Sequence, residues 1–196
     1  MTVIEFNFND DWMGEISRRL GDLNDKTPDV ISQATNSTAR KARKLIVQSL
    51  REHYAEDAKT KEYNAAMKIA RASRKKYDAT IYIRGKVQNL RRFNVSPKDP
   101  PASGSSRPPT TRAQVLLQGG LKELNKGGIK AVITTFKNGD VVVAQRNGSF
   151  YTYHRPTGGI DRHHEAIDKL WSISIPKMAE SQLDPKTVRG NMRDTI

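Results

Sequence analysis

The sequence predicts a mixed α+β fold: one long amphipathic helix, a set of antiparallel strands and a Pro-rich extended arm. Three observations carry this expectation. A run with helical apolar spacing begins at Thr27-Pro28-Asp29. The stretch from Ile129 to His154 is rich in β-branched residues and is punctuated by two Asn-Gly pairs. Residues 96–112, SPKDPPASGSSRPPTTR, hold five of the nine prolines.

The helix is justified by its start and its period. Thr27 suits an N-cap, Pro28 the first helical position and Asp29 the positive end of the helix dipole. Ile31, Ala34, Thr38, Ala42, Leu45 and Ser49 then fall within about 40° of one direction at 100° per residue, the buried face of a helix of about 22 residues. Arg40, Arg43, Lys44 and Arg51 point broadly the other way. Ahead of this helix, the alternation of Ile4, Phe6 and Phe8 in TVIEFNF predicts a strand. Trp12, Ile16, Leu20 and Leu23 recur at helical spacing, in a helix weakened by Gly14 and Gly21. After it, a short helix capped by Thr60 is expected near 60–67. Strands Lys68–Ala72 and Ala79–Ile83 follow, around the basic turn Ser73-Arg74-Lys75-Lys76. Ile81 and Ile83 share a face of the second strand, with Tyr82 on the other.

The Asn-Gly pairs mark hairpins, because both residues of the tight turn take positive φ. Asn138-Gly139 and Asn147-Gly148 together predict a three-stranded antiparallel meander over 129–137, 140–146 and 149–154. Residues 167–175, IDKLWSISI, read as a further strand, and Pro176 opens a short helix. Residues 184–196 read as a polar tail, which leaves 1–183 as one domain carrying the arm. The Pro-rich run can form neither a helix nor a central strand. Fully extended, the arm at 96–112 would span up to about 50 Å at about 3.1 Å per residue. It is expected to reach a neighbouring subunit, with Pro97, Pro100, Pro101, Arg107, Pro108 and Pro109 as candidate contacts.

Composition bounds the function. With no cysteine, the chain has neither disulfides nor thiolate metal sites. No apolar run approaches the roughly 20 residues of a membrane span, and the acidic start MTVIEFNFNDD is unlike a signal peptide. These features predict a protein made and used in a cytoplasm, with no membrane partner. The net charge of +13 is unevenly spread. Residues 1–30 carry seven acidic and three basic side chains, whereas residues 31–92 carry five acidic and 16 basic. Three readings fit: contact with nucleic acid, head-to-tail contact between acidic and basic patches of like subunits, or a solvated basic face.

The chain offers no convincing catalytic constellation and implies no cofactor. His154, His163 and His164, with Asp161 and Glu165 nearby, invite a metal or nuclease reading. Adjacent His163 and His164 diverge in any regular element, and HExxH is missing, so a solvated loop is the better expectation. Gly119-Gly120 and Gly127-Gly128 lack the Gly-Lys-Ser/Thr of a phosphate loop and read as turn glycines. RASRKKY (71–77) and RGKVQNLRRF (84–93) mix cations with Tyr77, Tyr82 and Phe93, the texture of a nucleic-acid surface and equally of a guarded basic sheet edge.

The order of these elements resembles the prophage minor tail protein Z family and related tail-completion proteins of long-tailed phages. The residues that carry the resemblance are spread over roughly 27–180. They begin with the Ala-, Thr- and Arg/Lys-rich helix and the basic hairpin with its apolar strand. A Leu-x-x-Phe step at Leu90 and Phe93 leads to the Pro-rich break, and Val115 to Gly120 form a strand with a Gly pair. Phe136 and Gly139 precede a run ending in Arg146, and IDKLWSISIPKM closes the pattern. The long Pro-rich break and the YTYHRPTGG stretch depart from it. The resemblance implies a long helix packed on a twisted, mainly antiparallel sheet. It implies a structural virion protein, not an enzyme: a homo-oligomeric ring of six subunits at the head-proximal end of the tail. That ring completes the tail in the host cytoplasm for head–tail joining, beside tail and connector proteins and with possible contact to genomic DNA. On this reading Arg40, Arg43, Lys44, Arg51, Arg74, Lys75 and Lys76 are the candidate subunit or DNA contacts. The alternative is a basic nucleic-acid-binding module.

Overall fold

Helix α1 (Thr27–His53) begins where the Thr-Pro-Asp signal places it and runs for 27 residues. The computed structural model describes residues 1–6, 14–15, 18–19, 26–57, 60–101, 108–153 and 162–183, with side chains excluded at 151–153 and 162–164. Phe8, Trp12, Ile16, Leu20, Leu23, Arg107 and the expected tail at 184–196 lie outside the described residues. Among those described, the architecture is mixed α+β, with three helices, two 3-10 turns and several antiparallel sheets.

The chain divides into two compact units. The first takes Met1–Glu52, Ala58–Lys86 and the chain from Ile173 onward; the second takes His53–Asp57 and Val87–Ser172. In the first unit, β1 (Thr2–Phe6), β2 (Met67–Ala70) and β3 (Ala79–Ile83) form an antiparallel sheet in the order β1-β3-β2. The registers Thr2↔Ile83 and Met67↔Ile83 put β3 in the centre. Central position explains why Ile81 and Ile83 are fully buried and why Thr80 on the other face is buried too. The short helix α2 (Thr60–Ala66) leads directly into β2. Helix α3 (Ile175–Gln182) is N-capped by Ser174, whose hydroxyl accepts from the Lys177 amide. The Thr2 hydroxyl donates to the Pro176 carbonyl at 3.1 Å, so the two ends of the described chain meet.

The buried face of α1 differs from the expected one. Ile31, Thr35, Ala39, Ile46, Val47 and Leu50 are buried. Ala34, Thr38 and Leu45, expected inside, are exposed, and Ala42 and Ser49 are half-buried. At 100° per residue the buried face is rotated by about 90° from the expected direction. The large side chains of Ile46, Val47 and Leu50 outweigh the small ones, because the gain scales with apolar area removed from water. Thr35 tolerates burial because its hydroxyl donates to the Ile31 carbonyl at 2.9 Å. Ala39 packs against Ala72 and Ala79, with Phe6 and Ile69 beside them, so small residues bring helix and sheet close.

The remaining strands form three short sheets. β8 (Asn125–Lys126), β9 (Ile129–Thr135), β10 (Val141–Tyr153) and β11 (Arg162–Lys169) form one in the order β11-β10-β9-β8. β5 (Asn94–Ser96), β6 (Arg112–Gln114) and β7 (Lys122–Glu123) form another, and β12 (Trp171–Ser174) pairs with β4 (Val87–Asn89). Residues 54–56 run between two neighbours: Asn94 N–H donates to the Ala55 carbonyl at 3.0 Å, and Ala55 N–H donates to the Val115 carbonyl at 2.9 Å. Leu90 and Phe93 are both buried here, around a 3-10 turn at Leu90–Arg92.

Several expectations for this region are corrected. Asn138-Gly139 does turn the chain, but only Gly139 takes positive φ (82°). The turn spans Phe136–Asp140, closed by Phe136 N–H to the Asp140 carbonyl at 2.9 Å. Asn147-Gly148 makes no turn; it is a bulge within β10. The register moves from Arg146↔Ile167 to Phe150↔Glu165, so three residues of β10 oppose one of β11. Gly148 supplies the positive φ (78°) that the bulge requires. Asn147 Oδ1 accepts from Ser149 N–H at 2.9 Å. The two-residue tight turn is made instead by Gly127-Gly128, both at positive φ, between the paired Lys126 and Ile129. The strand expected at 167–175 is broken at Leu170, where β11 gives way to β12. Val115 to Gly120 is a bend and a 3-10 turn, not a strand.

Candidate functional site

The candidate cations fall into three groups. Arg40, Lys44 and Arg51 are exposed on α1 and lie within about 40° of one another at 100° per residue. Arg51 donates to the Thr60 hydroxyl at 3.2 Å. Arg43, expected in the same row, is half-buried on the flank of the packed face, a consequence of the rotated helix. Gln33 and Ser37 lie along the row, and no acidic residue occurs between Val30 and Arg51.

The hairpin tip forms the second group. Arg74 donates through Nε and Nη2 to the two carboxylate oxygens of Asp29. The Asp29 hydrogen bond, and then its charge, raise the Arg74 pKa above the ordinary arginine value. Arg74 is therefore committed to its own chain, while Lys75 and Lys76 remain exposed. Asn36 holds the hairpin from two turns further along α1. Its Nδ2 donates to the Ala72 carbonyl at 3.0 Å, and its Oδ1 accepts from Ala72 N–H at 2.9 Å.

The third group, Arg91 and Arg92, is internally paired. Arg91 lies 3.6 Å from Asp99, and Arg92 Nε lies 3.2 Å from the fully buried Glu56 carboxylate. Phe93 is buried, and Tyr77 and Tyr82 are half-buried. The aromatic and cationic run at 84–93 therefore does not present Phe93 for base stacking.

The Pro-rich segment proves to be a closed loop. Ser96 and Arg112 are antiparallel partners at its two ends, so its reach from the sheet is at most about 23 Å, half its length at about 3.1 Å per residue. Pro97, Pro100, Pro101 and Pro108 are half-buried, Pro109 is exposed, and Thr111 is buried with its amide donating to the Ala131 carbonyl at 2.8 Å.

His163 and His164 occupy strand positions in β11, opposite Thr152 and Tyr151, and not a loop. His154 and Asp161 lie outside the described residues. Glu165 accepts from Arg146 at 2.9 Å. Among the described residues no group of three or more His, Asp or Glu side chains is placed to hold a metal ion. No described helix is long and apolar enough to cross a membrane.

Two exposed apolar features emerge from the structure. Val30, Ala34 and Leu45 form an exposed stripe on the flank of α1 away from the hairpin tip, within about 60° at 100° per residue. The second is a ribbon. β9 pairs with β10 only as far as Gln145, so residues 146–153 of β10 pair with β11 alone. Phe150 is 70% exposed and Ile167 is 49% exposed on this ribbon. The Arg146–Glu165 ion pair lies on the same face, because opposed residues of paired strands share a face. No family model matches the chain, and neither a curated protein nor a solved structure matches it.

Proposed function

We propose that this chain is a structural subunit of a long-tailed phage tail, forming a homo-hexameric ring at the head-proximal end that completes the tail for head–tail joining. The element order that resembles tail-completion proteins supports the family. In this reading the long helix on its antiparallel sheet is the rigid body of the subunit, and the work is mechanical, with no catalytic step. The observation that carries self-association is the exposed stripe of Val30, Ala34 and Leu45. Apolar and small side chains at helical spacing are left in water where the sequence pattern expects a buried face. The two-stranded ribbon adds weight. Such ribbons are marginal alone, and exposed Phe150 and Ile167 suit it to lie against a neighbour.

The direct test is the double variant V30E/L45E. Both sites are exposed, so monomer stability should stay within about 0.5 kcal/mol of wild type. Incorporation into tails should be lost. Normal incorporation of a folded V30E/L45E protein would remove the stripe from the account.

A further inference from the structure

We propose that the outer row of α1, Arg40, Lys44 and Arg51, is a binding surface for the phosphate backbone of duplex DNA. These cations differ from the others in what holds them. Arg74, Arg91 and Arg92 are each held by a carboxylate of their own chain, whereas Arg40, Lys44 and Arg51 are exposed on a stretch with no acidic residue from Val30 to Arg51. At about 1.5 Å per residue, the three cations extend over roughly 16 Å along one side of a rigid helix. Preorganised cations in a row suit a repeating anion better than a single one.

The neighbours of the row favour DNA over an acidic protein. Gln33 and Ser37 are neutral and polar, able to hydrogen-bond phosphate oxygens. Protein interfaces have an apolar core, and in α1 the exposed apolar residues lie toward the opposite flank, around Val30 and Leu45. Asp29 and Asn36, which hold the hairpin tip, lie on the near flank, within about 60° of the row. Exposed Lys75 and Lys76 at that tip therefore widen the positive surface on this side. Phosphate contacts carry no base preference, so the surface should bind duplexes of any sequence. The inference holds whether or not the chain forms a ring.

The test is the salt dependence of binding to fluorescent 30-base-pair duplexes of two unrelated sequences. Wild type should bind both equally, with log affinity falling linearly against log salt. The variant R40Q/K44Q/R51Q should make that slope shallower by about 3 and weaken binding at least about tenfold in low salt. The charge-conserving R40K/K44R/R51K should keep the wild-type slope. K122Q/K126Q/K130Q removes the same charge from exposed sites in the second unit and should change affinity by no more than about twofold. Circular dichroism of each variant checks folding. Three results would overturn the proposal: equal losses in the two Gln triple variants, wild type that does not bind duplex in low salt, or tighter binding to polyglutamate than to DNA.

Discussion

Arg74 and Asp29 are joined by a two-pronged hydrogen bond that ties the tip of the β2–β3 hairpin to the first turn of α1. The pairing raises the Arg74 pKa. Because the shift is upward, the part of the stabilisation linked to the Arg74 proton is present below the ordinary arginine value and is lost as pH rises through the strongly alkaline range. Two turns further along, Asn36 fastens the same hairpin through the backbone of Ala72.

Asn36 is the stronger of the two clamps. Asn36→Ala leaves both backbone groups of buried Ala72 without that partner, and a buried polar group left unsatisfied costs about 1–3 kcal/mol. Chemical denaturation should show a loss in that range. Arg74→Gln, at an exposed site, should lose clearly less. The reverse order would mean that the hairpin is held by its charges.

Ala39 sets the separation between helix and sheet. It is fully buried against Ala72 and Ala79, so Ala39→Leu must push α1 away or force poor rotamers. Overpacking of this kind costs about 1–3 kcal/mol. Thermal melts should show Ala39→Leu destabilised and Ala34→Leu close to wild type, because Ala34 is exposed. Equal losses at both positions would show that the helix is turned the other way.

The loop between Ser96 and Arg112 is expected to be dispensable for folding and needed for assembly. Replacing 98–110 with a short Gly-Ser linker keeps the paired strand ends. It should leave a folded monomer with a modest loss of stability, from half-buried Pro100, Pro101 and Pro108. Co-purification with tails should be abolished. Unchanged incorporation would leave the loop without a role in subunit contact.

Local signals were legible in the sequence where they were strong. The Thr27-Pro28-Asp29 start, the basic turn at 73–76, the Ile81/Ile83 face and the helix opened by Pro176 all stand where residue chemistry puts them. The face of α1 was misread because Ala34 and Thr38 were weighed like Ile46 and Leu50, although burial free energy follows side-chain area. Asn147-Gly148 was misread because its positive φ serves a bulge as well as a turn, and only the register with β11 separates the two. The pairing of Tyr54 with Leu116 and of Thr2 with Ile83 is long-range and leaves no local trace. Among the site residues, Arg40, Lys44 and Arg51 could be read from helical period alone. That Arg74 and Arg92 are internally paired could not, since Asp29 and Glu56 lie far from them in sequence.

The central claim is that this protein is part of a phage tail. Quantitative mass spectrometry of tails purified from the virus that encodes it, with antibody labelling under the electron microscope, tests it most directly. The account predicts about six copies per tail, with the label confined to the head-proximal end. Tails that are complete and competent to join heads while lacking the protein would contradict it.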